Sequence, residues 1–223
     1  MFSQRYRKFR QACTGVLAAL AILVFGSFAR SEAQEPTPAA QAVWQHVGRV
    51  YLNATGAGVY AGYLVNINGI TNSLFNGSPS PGTAYFTFST DVLTLTPLPN
   101  NADVTLSFVS AGTFSVYYNT SPDGDWSNPA TFASGQLIAT FHRNQTLYAE
   151  IGPIGFHALS ETLVSSRSFT FDGQTYNFNR IAPNGITFAQ FFSTAAQTGT
   201  TEYPYAFAGA GSVMAVGGIL SGL

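Results

Sequence analysis

The sequence predicts an all-β protein, an antiparallel meander that closes as a single β-barrel or sandwich. Three observations predict it. Between Val104 and Ile151 apolar side chains recur at every second position through successive short runs separated by turn chemistry; this period puts one set of side chains on each face of a pleated strand. Asp172-Gly173 stands between Ser168-Phe169-Thr170-Phe171 and Gln174-Thr175-Tyr176-Asn177-Phe178. That dipeptide tolerates the positive backbone angles of a type I′ turn and predicts a hairpin with Phe169 opposite Tyr176. Aromatic residues make up 14% of the chain, with 19 phenylalanines, and large rings favour strands and a ring-packed interior.

At the start of the chain, Arg5, Arg7, Lys8 and Arg10 precede an uncharged, mostly apolar run from Ala12 to Phe28. Ser27-Phe28-Ala29 and Ser31-Glu32-Ala33 then satisfy the small-x-small cleavage rule. Residues 1–33 therefore read as a signal peptide cleaved after Ala33. The alternative is an uncleaved anchor, since the run is close to the lower limit of about 17 residues for a spanning helix. Adjacent arginines are absent, so the general secretory route is expected rather than the twin-arginine one. The destination is periplasmic, cell-surface or extracellular. Cys13 lies before the apolar run, which argues against a lipoprotein anchor.

Cleavage would change the charge. The mature chain keeps Arg49, Arg143, Arg167 and Arg180 and has no lysine, and these four cations against nine acidic residues leave a net charge of −5. A domain so poor in cations cannot neutralise several phosphates, so neither nucleic acid nor an anionic lipid surface is an expected partner. With Cys13 removed there is no disulfide, no thiol nucleophile and no zinc–thiolate site. Stability must come from burial and backbone pairing, which a mature length of about 190 residues allows.

Residues 34–42, rich in proline and alanine, read as a mobile linker, and residues 43–205 as the β domain. A first strand is predicted from Val43 to Asn53, with Val43, Gln45, Val47, Arg49 and Tyr51 on one face and Trp44, His46, Gly48, Val50 and Leu52 on the other, a pattern that does not decide which face points inward. A second runs from Val59 to Ile67, with Gly56, Gly58 and Gly62 marking bends or bulges of the kind closing barrels use. Those glycines do not read as a phosphate loop, because no basic residue and no helix start follow them. After the loop Asn76 to Gly82, Ala84, Phe86 and Phe88 alternate with polar neighbours, and Leu93 and Leu95 continue past a break at Asp91. In the meander, Leu106 and Phe108, then Phe114, Val116 and Tyr118, then Leu137, Ala139 and Phe141, then Leu147, Ala149 and Ile151 mark four runs. The connection His142-Arg143-Asn144-Gln145 is short enough to predict a hairpin between the last two. Short helices are the most that is expected near residues 156–165, where Phe156, Leu159 and Leu163 have helical spacing, and 186–196, with Phe188, Phe191 and Phe192. The uncharged, Gly-rich tail Ala206–Leu223 is a candidate for self-association or membrane contact, against the plainer alternative of a last element tucked on the core. In general architecture the meander resembles small β-barrels of the allene oxide cyclase and dirigent type; that resemblance implies a fold and transfers no active site.

Motifs that carry chemistry are scarce. His46, His142 and His157 have no metal-ligand spacing, so no metal and no cofactor is expected. Asp123, Asp125 and Trp126 are weak ligand-binding candidates: Ser121-Pro122-Asp123-Gly124-Asp125-Trp126 superficially matches a calcium loop but lacks its later ligands, which favours a turn. No Gly-x-Ser-x-Gly elbow is present. Glu150 and His142 are the weak catalytic candidates, and Glu150 and Glu161 could act as an acid–base pair if folding brings them close. The preferred expectation is an exported, non-enzymatic protein with a structural or interaction role. The alternatives are a barrel holding a small apolar ligand and a cyclase-like enzyme using the same cavity.

Overall fold

A computed structural model describes residues 35–99 and 103–217. The proposed signal peptide and residues 218–223 lie outside the described residues. The elements are β1 (Ala42–Leu52), β2 (Ala57–Ile67), β3 (Phe86–Thr90), β4 (Leu93–Pro97), β5 (Thr105–Val109), β6 (Gly112–Tyr118), β7 (Gln136–Arg143), β8 (Thr146–Ile151), β9 (Ile154–Ser166), β10 (Phe169–Phe171), β11 (Gln174–Tyr176), a one-turn helix α1 (Phe178–Ile181), β12 (Ile186–Ser193), β13 (Gln197–Thr198) and β14 (Tyr205–Ala215). All pairings are antiparallel, and β1 pairs with both β2 and β14, so the sheet closes. Of the two expected architectures, the barrel is the one formed. No helix among the described residues is long and apolar enough to cross a membrane.

Pairing registers show how the barrel is made. Phe86↔Tyr118 and Leu95↔Val109 lie on one continuous ladder between β3–β4 and β5–β6, and Gly112↔Arg143 and Thr105↔Glu150 lie on another between β5–β6 and β7–β8. Each of these pairs of short strands is thus one long strand interrupted once, and the barrel has eight staves in up-and-down order: these three and the single strands β1, β2, β9, β12 and β14. The interruptions at Asp91–Val92, Ser110–Ala111 and Asn144–Gln145 sit side by side and crease the sheet. This corrects the hairpin expected at His142–Gln145: β7 and β8 do not pair with each other, and the chain turns back only at Gly152-Pro153, where Ile151 pairs with Ile154. Gly152 takes φ +58°, a conformation that favours glycine.

Two stretches with helical spacing are strands. β9 buries Gly155, His157, Leu159 and Glu161 and exposes Phe156, Ala158 and Ser160. β12 buries Phe188, Gln190 and Phe192 and turns Phe191 outward. Ladder bonds on both sides of each strand outweigh a weak periodic preference. Phe156 and Phe191 pack on each other outside, with centroids 5.3 Å apart. The apolar run of β8 also faces outward, since Leu147 and Ile151 are exposed. Part of the tail is barrel wall: residues 205–215 bond to β1 and β12, so their backbone is already paired.

One end of the barrel is filled. Trp44 packs against Phe114, Phe141, Phe178 and Phe188 at centroid distances of 5.6–6.3 Å. α1 brings Phe178 and Ile181 into this end, and the Asn177 side chain caps the turn by accepting from the Asn179 N–H at 2.7 Å. The β10–β11 hairpin forms as predicted, with Phe169 opposite Tyr176 and Asp172-Gly173 at φ 47° and 78°. Outside the wall, the loop 121–134 lays Trp126 and Phe132 over Tyr51 and Tyr63.

Candidate functional site

The other end of the barrel is a cup. Its cavity measures about 110 Å³, or about 750 Å³ with the open mouth included. Half-buried Leu52, Leu95, Glu150 and Phe207 stand at the mouth, apolar Leu93, Val109 and Phe192 line the walls, and Tyr60, Arg143, His157, Glu161 and Gln190 form a buried polar floor. Beneath the floor lie the rings of Phe114 and Phe188. An engineered cavity of about 150 Å³ holds benzene, so the cup suits a group of about that size or slightly smaller.

Strand register assembles the floor. Arg143 on β7 is opposite Glu161 on β9, and Gln190 on β12 is opposite His157. Gly211 on β14 lies between His46 and Gln190 in the same row. A Cβ there would come within 2.7 Å of the Gln190 Cβ, so glycine keeps open the gap across which the two side chains meet. The Gln190 amide then links two imidazoles: Oε1 is 3.2 Å from His46 Nε2, and Nε2 is 3.1 Å from His157 Nδ1. Because the amide nitrogen donates to His157 Nδ1, the imidazole proton sits on Nε2 and is donated to Thr146 Oγ1 at 2.6 Å. Each ring carries one proton. Burial drives both histidines down to about 4, so they are neutral at physiological pH.

Arg143 staples the crease. Its Nε donates to the Ser110 carbonyl at 3.2 Å and its Nη2 reaches Asp91 Oδ1 at 3.5 Å, the one ion pair found among the described residues. Asp91 in turn accepts from the Thr113 N–H at 2.9 Å. Glu161 is 3% exposed and takes no part in this network. Burial, opposed by the Arg143 charge, raises its carboxyl to about 8, so it holds its proton at neutral pH. Its Oε2 and the hydroxyl of Tyr60, which is 4% exposed, have no hydrogen-bond partner among the described residues. Such buried unpaired atoms normally cost about 1–3 kcal/mol each. Both belong to the lining of the same cavity.

The sequence candidates fare unequally. Glu150 is half-buried at the mouth of the cup. His142 is exposed on the outer side of β7, away from the cup. Asp123 binds Asn119 and Ser134, and Asp125 binds Ser127, which draws its carboxyl below the usual range. Both shape a surface turn. Trp126 packs on Phe132 and lies under the Arg49 guanidinium at 4.7 Å. Among the described residues no cluster of three His, Cys, Asp or Glu is arranged to hold a metal. Sequence reasoning missed Tyr60, Arg143 and Gln190 as site residues, named His157 only among histidines without metal-ligand spacing, and named Glu161 only as a possible acid–base partner of Glu150; the two carboxyls line the same cup, one on its floor and one at its mouth. Period two along 155–161 would have put His157 and Glu161 on one inward face. Comparison with known proteins returns no matching family model, curated protein or solved structure.

Proposed function

We propose that this protein is a binding barrel for a small, mostly apolar molecule bearing one polar end. The observation that carries this reading is the pair of unpartnered buried polar atoms, Tyr60 Oη and Glu161 Oε2, on the floor of a cavity whose walls are hydrocarbon. Small-molecule sites are typically concave and apolar with a few convergent polar groups. The molecule enters between Leu52, Leu95 and Phe207, its apolar part lies along Leu93, Val109 and Phe192, and its polar end meets the floor. The basic and then apolar residues 1–33 support export, so we place the protein outside the cytoplasmic membrane, where it would sequester or carry its ligand. This reading replaces a purely structural role, which a filled interior would have favoured.

A catalytic use of the same cup has one observation in its favour. A carboxylic acid that keeps its proton at neutral pH, as Glu161 does, can deliver that proton to a bound oxygen or double bond. Native mass spectrometry of protein purified from its own host tests the binding reading. A retained small molecule released on denaturation is the expected result; the bare chain mass from every preparation, together with no uptake of added apolar compounds, would refute it.

A further inference from the structure

The floor of the cup offers hydrogen-bond donors and few free acceptors. Tyr60 Oη has no partner among the described residues. Arg143 uses Nε and Nη2 across the crease, and its Nη1 donates to none of the described residues. Gln190 and His157 are already engaged with one another and with His46 and Thr146. Glu161 donates from its carboxyl when protonated. A head group that answers a guanidinium, a phenol and a carboxylic acid together must be rich in lone pairs and carry negative charge.

We propose that the floor is a carboxylate site, and that the bound molecule is a small aliphatic or arylalkyl monocarboxylate seated head-down against Arg143, Tyr60 and Glu161. This rests on the binding reading above and specifies its polar end. An amine would meet the Arg143 charge and would need Glu161 ionised to offset its own, leaving the Tyr60 hydroxyl and the free guanidinium nitrogen without an acceptor. An alcohol has too few lone pairs to satisfy all three donors, and a phosphate dianion needs more than one cation. Asp91 competes for the guanidinium, but it is nearly half exposed and its 3.5 Å contact is long, so solvent screens the competition.

Affinity should fall as pH rises, because ionised Glu161 would set a second negative charge beside the ligand's. The charged and titratable groups around Glu161 are Arg143 from β7, Asp91 at the crease, His157 on its own strand, Tyr148 and Glu150 from β8, Tyr60 from β2 and His46 from β1; β12 presents Ile186 and Phe188. Burial keeps both histidines neutral and pushes the Tyr60 and Tyr148 hydroxyls up, so none of these four changes charge between neutral pH and about 9.

Isothermal titration of the purified protein with hexanoate and with 1-hexanol, at about pH 6.5 and about pH 9, tests the proposal. Hexanoate should bind about tenfold or more tightly than hexanol at the lower pH and lose about tenfold at the higher, while hexanol is unchanged. Whatever its affinity for hexanoate, Glu161→Gln should show none of the pH dependence. Equal affinity for the two probes at both pH values overturns the carboxylate proposal and leaves the binding reading standing. A hexanoate preference indifferent to pH overturns the part given to Glu161, and binding of neither probe overturns both readings. If circular dichroism shows that Glu161→Gln does not fold, the wild-type pH series decides.

Discussion

Arg143 and Glu161 stand directly opposite one another on adjacent strands, both about 3% exposed, and make no ion pair. The guanidinium turns to the Ser110 carbonyl and to Asp91, and the carboxyl keeps its proton. Removing two charges from water together costs several kcal/mol unless geometry and further hydrogen bonds compensate. Here the crease supplies partners for one of the two, and the other stays neutral and free to meet a ligand.

Stability should therefore depend on pH with two opposed limbs. Glu161, raised from 4.5 to about 8, binds a proton in the folded state that the unfolded chain releases, so its contribution is full below about pH 4.5 and lost as pH climbs through 8. His46 and His157, lowered from 6.5 to about 4, act oppositely: their contribution is present above about pH 6.5 and lost as pH falls through 4. Two histidines outweigh one glutamate between about pH 4.5 and 6.5, so thermal unfolding should show a maximum near pH 6.5. Glu161→Gln should flatten the alkaline limb and steepen the acid one, where the glutamate no longer opposes the histidines. A melting temperature that is flat from pH 6.5 to 9 in the wild type would contradict the assignment.

Gly211→Ala should cost about 2 kcal/mol or more in urea denaturation, as a methyl group is forced against Gln190 and the Ala189 backbone. The same change should detach His46 from Gln190 and move the imidazole nitrogen resonances of both histidines.

Phe132→Ala should cost about 3–5 kcal/mol, because this fully buried ring holds the loop 121–134 on the outside of the barrel and its backbone carbonyl accepts from Thr87 Oγ1. Ligand binding, measured under conditions where the variant remains folded, should be unaffected, since neither Phe132 nor Trp126 lines the cup.

Leu95→Trp at the mouth should hinder entry while leaving the floor intact. Slower association in stopped-flow binding, with a melting temperature close to wild type, is the expected pair of results.

Much of the architecture was legible because alternation is a local signal. The extent of β1, the faces of β6, the Asp172-Gly173 hairpin and the antiparallel meander all follow from spacing within ten residues, whereas the inward face of β1 does not, since Val43 and Tyr51 on one side and Trp44 and His46 on the other are all buried. The crease was not, because a break that leaves a strand in register looks like a turn: Asn144-Gln145 has turn composition, and only its alignment with Asp91 and Ser110 shows that the ladder continues. Phe156 and Phe191 misled in another way, since outward rings made β9 and β12 look helical. The floor was invisible for a third reason. Tyr60, Arg143, Glu161 and Gln190 come from four strands and meet only when the barrel closes.

The claim on which the rest depends, that the cup admits a ligand whose polar end reaches Tyr60 and Glu161, is tested most directly by carbon NMR of protein labelled at the tyrosine rings and glutamate carboxyls, titrated with hexanoate. Saturable shifts at Tyr60 and Glu161, with Tyr203 and Glu202 at the surface unmoved, are predicted. Shifts confined to surface resonances, or none at all at saturating concentration, would contradict it.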